Sequence, residues 1–211
     1  MSLADSRPQP CGPARGRPRS EAVERAILEG VMKLLEDGVP LAELSIERIA
    51  RTAGVGKATI YRRWSGKEEL FVDVMRAAEP PDPELPGTSM RDDLVMLLEA
   101  LRLRGLANRS SAILHNVQAQ MKSSPKIWAA YHTSVIAPRR RQGLEILRRG
   151  QRNGELRPDV DLELANDLFV GPMLVRSVMR PDMELPDGLA EQIVDTVLAG
   201  LRPVSAPGAQ P

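Results

Sequence analysis

The chain has a single cysteine, Cys11, which rules out an internal disulfide and leaves no thiol partner for a structural zinc site. Histidine is nearly as scarce: His115 and His132 are the two, and each fits a polar surface or core position better than a ligand or a catalyst. No HExxH or GxSxG occurs, nor any cluster of Cys and His, so the residues offer neither an enzyme's motif nor a cofactor or metal site. GVGKAT looks like a phosphate loop, but a Walker A needs glycine and then Ser or Thr where Arg51 and Ala58 stand. A run of about 18 apolar residues, long enough to cross a membrane, is missing. The N-terminus, MSLADSRPQPCGPARGRPRS, lacks the apolar centre of a secretory signal, and a cytoplasmic protein with no membrane partner is expected. Charge of one sign is not in excess either: 29 basic residues stand against 28 acidic ones, so attraction for nucleic acid has to be local. No convincing strand pattern appears, and the fold is expected to be all-α.

What is present is concentrated between Ser45 and Lys67, SIERIARTAGVGKATIYRRWSGK. Ile46, Ile49, Ala50 and Ala53 fall at i, i+3, i+4 and i+7 and share one helical face. Gly54 follows the last periodic residue, where a left-handed conformation ends a helix, and Val55 is the apolar residue that holds the turn to the core. A second helix begins near Gly56, with Ile60 and Trp64 inward and Ala58, Thr59, Tyr61, Arg62 and Arg63 free to face out. Between Arg48 and Lys67 there are six basic residues and no acidic one. This spacing, turn and charge describe a helix-turn-helix suited to a phosphate backbone. If the second helix lies in a major groove, Lys57, Ala58 and Thr59 reach base edges first, and Arg62 is long enough for a base or a phosphate. Lys57 can donate to guanine O6 or N7, and the methyls of Ala58 and Thr59 can touch thymine.

Ile49-Ala50, Ala53-Gly54-Val55, Thr59-Ile60-Tyr61 and Lys67-Glu68-Glu69-Leu70 resemble the DNA-binding domain of TetR-family transcriptional regulators, densely over about Glu21 to Met75. The segment from Arg139-Arg140-Arg141 through Arg149, with Gly154-Glu155-Leu156-Arg157 and Gly171-Pro172, is similar to one C-terminal subtype of that bacterial family. The resemblance implies a three-helix DNA-binding domain followed by a larger helical ligand-binding and dimerisation domain. It also implies that Tyr61 and Lys67 hold phosphates, as does Ser45 at the start of the preceding helix; Arg63 is a further backbone contact. Glu47 departs from the pattern, because it puts a carboxylate near the groove where it repels phosphate.

Residues 1–19 form a Pro- and Gly-rich basic arm, read as disordered, in which Arg15, Arg17 and Arg19 flank a Gly and a Pro. This is either an AT-hook entering a narrow minor groove in extended form or a basic tail in loose phosphate contact. Ser20 is placed to cap a first helix to about Asp37, with Val23, Ile27, Val31, Leu34 and Leu35 buried. Ser65 with Glu68 reads as a capping box for a helix over about 66–78 that buries Leu70, Phe71, Val74 and Met75. The DNA-binding domain is thus assigned to 20–78. A proline-rich connector at 79–88 separates it from a body at 89–202, and a tail occupies 203–211.

The body reads as helices over about 89–106, 110–122, 125–152, 161–180 and 187–201, with Pro138 expected to kink or split the third. It holds six of the nine methionines, and a pocket for a small-molecule effector is expected among Leu97, Met121, Trp128, Tyr131, His132, Phe169 and Met173. Surplus apolar positions on the last two helices, among them Leu164, Leu168, Ile193, Val197 and Leu201, suit an intermolecular four-helix bundle. The expected function is a sequence-specific regulator, a homodimeric repressor that leaves a palindromic double-stranded operator when ligand binds. The alternatives are a helical protein-interaction module and a DNA-packaging protein without sequence preference.

Overall fold

The computed structural model describes residues 17–111, 124–180 and 182–202, with side chains from residue 21 onward. Among these residues there are helices and no strands. In chain order they are α1 (Arg17–Glu36), α2 (Ile46–Thr52), α3 (Lys57–Tyr61), α4 (Lys67–Ala78), α5 (Met90–Ser110), α6 (Pro125–Tyr131), α7 (Ala137–Arg152), α8 (Leu162–Leu174) and α9 (Leu189–Leu201). A π-helical turn, His132–Ile136, joins α6 to α7, and another, Val175–Met179, extends α8.

Helix α1 is already formed at Arg17, so Ser20 lies inside it and not at its cap. Arg17 and Arg19 are therefore in helical backbone, and the extended AT-hook conformation does not hold for them; Arg15 lies outside the described residues. Helix α5 runs on to Ser110 where a stop near 106 is expected from the sequence. The helix expected at 110–122 and the tail lie largely or wholly outside the described residues. Pro138 falls in the first turn of α7, where its missing N–H is tolerated, directly after the π-turn.

Two apolar clusters organise the chain. The first gathers Ile27, Val31, Ile49, Ile60, Trp64, Leu70 and Phe71, together with Ile127, Tyr131 and Val135 from the far side of the connector. The second joins Leu94 and Leu98 to Leu147, Phe169, Met173, Val194 and Leu198. Close crossings rest on glycine: a Cβ on Gly30 would sit 3.2 Å from that of Ala53, which lets α1 and α2 approach.

Candidate nucleic-acid interface

The turn between α2 and α3 is a Schellman motif. Gly54 takes φ +67°, the Val55 N–H donates to the Ala50 carbonyl at 2.9 Å, and Gly54 N–H reaches the Arg51 carbonyl at 3.4 Å. At the other end of α2 the Ser45 hydroxyl accepts from the Arg48 N–H at 3.2 Å. Both ends of α2 are thus fixed by local sequence, and Gly56 starts α3 immediately afterwards.

Within α3, Ile60 is wholly buried and Trp64, just beyond it, is 3% exposed. The Trp64 indole N–H donates to Asp73 Oδ2 on α4 at 2.8 Å, so the recognition helix is pinned through an apolar ring with a satisfied polar edge. With that side locked inward, Lys57, Ala58, Tyr61 and Arg62 are exposed together, and Tyr61 keeps 56% of its surface free. Thr59 is half-buried and organises its neighbours: its hydroxyl takes Arg62 Nη2 at 3.1 Å, and its carbonyl takes Arg63 Nη1 at 3.2 Å. That holds both guanidinium groups close to α3, and Thr59 orients its two cationic neighbours.

Lys67 opens α4, beside backbone N–H groups that have no helical acceptor. The cap of this helix differs from the Ser65–Glu68 box expected from the sequence. Glu69 is the partner, taking both the Ser65 N–H at 2.7 Å and its hydroxyl at 2.9 Å, because Gly66 is the N-cap and shifts the register by one. The Ser65 N–H, and after it the hydroxyl, hold the Glu69 carboxyl below its ordinary range. Glu47, the acidic residue expected to repel phosphate, lies 3.5 Å from Lys57 Nζ.

Where α4 ends, a buried ionic cluster ties it to the helices beyond. Glu79 Oε2 meets Arg139 Nη2 at 3.0 Å and Arg104 Nε at 3.7 Å, and Tyr131 donates to Glu79 Oε1 at 3.1 Å. Asp82 in the connector takes Arg139 Nε at 3.0 Å and pairs with Arg104 as well. Two carboxylates thus balance two guanidiniums, with Glu79 and Arg104 buried and Asp82 at the solvent edge. Burial, with the Glu79 charge beside it, pushes the Tyr131 phenol up to about 12.

The described residues expected to line an effector pocket fall into two groups, Trp128 with Tyr131 at 6.2 Å between ring centroids and Leu97 with Phe169 and Met173. Tyr131 belongs to the first cluster, Phe169 and Met173 are sealed in the second, and Leu97 packs against the second. Trp128 and His132 are exposed, and Met121 lies outside the described residues. Spacing marked these residues as apolar without saying which core each would fill. An open groove of about 210 Å³ lies between α8 and α9, lined by Pro172, Arg176, Leu189, Gln192, Ile193, Thr196 and Val197. Of the expected interface residues, Leu164 and Leu168 are exposed and Val197 and Leu201 are partly so, whereas Ile193 is turned mainly into the protomer's own core.

Known proteins match this chain along most of its length. Residues 27–74 match the family described as bacterial regulatory proteins, tetR family, and residues 86–197 match the tetracyclin repressor-like C-terminal domain. The uncharacterized HTH-type transcriptional regulator YdeS of Bacillus subtilis is 31% identical over 195 residues, spanning 91% of this chain and 96% of that protein. The DNA-binding transcriptional repressor TetR of Mycobacteroides abscessus is 28% identical over 187 residues, 88% of this chain and 94% of its own. Among solved structures, the TetR family transcription regulator SCO0332 superimposes with a TM-score of 0.57 at 27% identity, over 86% of this chain and 99% of that one.

Proposed function

The chain belongs to the TetR family of bacterial transcriptional regulators, and we propose that it acts as a homodimeric repressor which a small hydrophobic molecule releases from its operator. It is a DNA-binding regulator. The observation that carries the finer reading is the locked recognition helix: Ile60 and Trp64 fix its inner side, so Lys57, Ala58, Tyr61 and Arg62 are offered as a preformed surface. Preformed side chains lose little freedom on binding. On this reading Lys57, Ala58, Thr59 and Arg62 read bases, while Ser45, Tyr61, Arg63 and Lys67 hold phosphates.

A five-residue helix spans too few base pairs for useful specificity, and two half-sites read by two protomers overcome that. The exposed stripe Leu164, Leu168, Val175 and Met179 along α8 and its π-turn supports a partner there, because apolar surface of this extent favours burial. Release follows from the way α4 is held. Its Glu79 end is tied to α5, α6 and α7 through Arg104, Tyr131 and Arg139, so a ligand that favours another arrangement of those helices also moves the head.

Selection of bound fragments from a random duplex pool by the purified full chain tests the proposal. A pseudo-palindromic site, bound more tightly than a scrambled duplex and weakened by salt, is expected. Equal affinity for both duplexes points to DNA packaging, and no duplex binding at all to a protein-interaction module.

A further inference from the structure

The Glu47–Lys57 pair is difficult to account for as a stabilising contact. Side chains 74% and 57% exposed and 3.5 Å apart form a surface ion pair, a class of contact that adds little to stability. As a phosphate contact it is counterproductive, because Glu47 neutralises a cation on the face that meets DNA. Its placement suggests a different use. Glu47 is in the first turn of α2 and Lys57 opens α3, so a donor and an acceptor from two helices are presented side by side at the leading edge of the recognition surface.

The major-groove edge of a G·C pair carries the complementary arrangement. Guanine offers O6 and N7 as acceptors, and the cytosine N4 amine beside O6 is a donor. An ammonium over guanine and a carboxylate over the N4 amine satisfy both, with the ion pair kept and both charges hydrogen-bonded. A C·G pair reverses the pattern, setting amine against ammonium and O6 against carboxylate, which is repulsive. A T·A pair keeps an acceptor beside a donor but replaces guanine N7 with a methyl, so Lys57 loses one of its two acceptors.

We infer that Glu47 and Lys57 act as one unit that reads the identity and the orientation of a single G·C pair in each half-site, with Glu47 accepting from cytosine. Discrimination here arises as much from the repulsion of the reversed pair as from attraction to the correct one. Glu47 is then a specificity residue whose carboxylate is tolerated near phosphate because it never meets the groove without its lysine. This inference rests on the DNA-reading surface proposed above.

The test is a random-duplex selection carried out with the unaltered full chain, Glu47→Ala and Lys57→Ala. Both positions are exposed and neither substitution removes a core contact. The unaltered chain is expected to enrich a site with one strongly specified G·C pair per half. Both variants are expected to lose preference at that same pair, about tenfold or more, and to retain the remaining positions. An unchanged site in Glu47→Ala, with affinity raised alike on selected and scrambled duplexes, overturns the inference and leaves Glu47 as a repulsive charge. Loss at different pairs in the two variants also overturns it. If the unaltered chain enriches no site, the DNA-reading surface fails first and the inference with it.

Discussion

The guanidinium of Arg76, near the end of the helix that leaves the DNA-binding head, donates to the backbone carbonyl of Ser134, 58 residues further on. Ser134 lies in the π-turn, and in an α register the N–H that would meet its carbonyl belongs to residue 138, which is proline and has none. The same arginine pairs with Asp73, the acceptor of the Trp64 indole, at 3.4 Å. A short polar chain therefore runs from the back of the recognition helix to the π-turn before α7.

Arg76 and Pro138 should be energetically coupled. Arg76→Ala is expected to destabilise the chain, and to cost less when Pro138→Ala restores a backbone donor. Denaturant unfolding of both single variants and the double variant measures this, with a coupling of about 0.5–3 kcal/mol expected. Strictly additive losses would mean that Arg76 does not serve the carbonyl that proline leaves.

Gly54→Ala is expected to cost about 1–2 kcal/mol, since φ +67° lies in the left-handed region that a Cβ disfavours. No atom stands within 4 Å of a Cβ built there, so the loss is backbone strain alone. Gly56→Ala is the comparison: its site is equally open and its φ is −77°. Equal stability of the two variants in thermal unfolding would remove the argument for the turn.

Lys57→Ala and Lys67→Ala should differ in kind. Loss of the base reader is expected to cost about 1–3 kcal/mol on the selected duplex and little on a scrambled one, whereas loss of the phosphate contact weakens both. Parallel titrations decide this, and equal losses for Lys57→Ala would take it out of the readers.

Tyr131 predicts an alkaline weakness. Its phenol is raised from 10 to about 12 in the folded chain, so below pH 10 both states carry the proton and its contribution is complete. Between pH 10 and 12 the unfolded chain loses the proton and the folded chain keeps it, which draws the equilibrium toward unfolding. Loss on the order of 2–3 kcal/mol follows from the size of that shift. The stability advantage of the unaltered chain over Tyr131→Phe should therefore shrink across this range, and a constant advantage would contradict it.

The sequence revealed most where the physics is local. The Gly54-Val55 turn and the inward pair Ile60 and Trp64 depend on neighbours within a few residues, and both appear where the pattern puts them. The features misplaced or left unread depend on one-residue registers or on distant partners. Gly66 as N-cap hands the Ser65 contact to Glu69, and Trp64 finds Asp73 across a helix junction. Glu79 and Arg139 meet from 60 positions apart, a relation that no periodicity encodes. The expected effector pocket was read from side-chain type, which does not distinguish the two cores into which Tyr131 and Phe169 are divided.

Ile127, Tyr131 and Val135 complete the apolar cluster built by the reading head, although they follow the connector in the chain. A head excised at residue 78 would present the surface they cover to water. Transplanting this reader onto another regulator's body is therefore a matter of matching one seam. The grafted body must supply three apolar side chains at the spacing of residues 127, 131 and 135, or the graft must carry residues 125–136 along with the head.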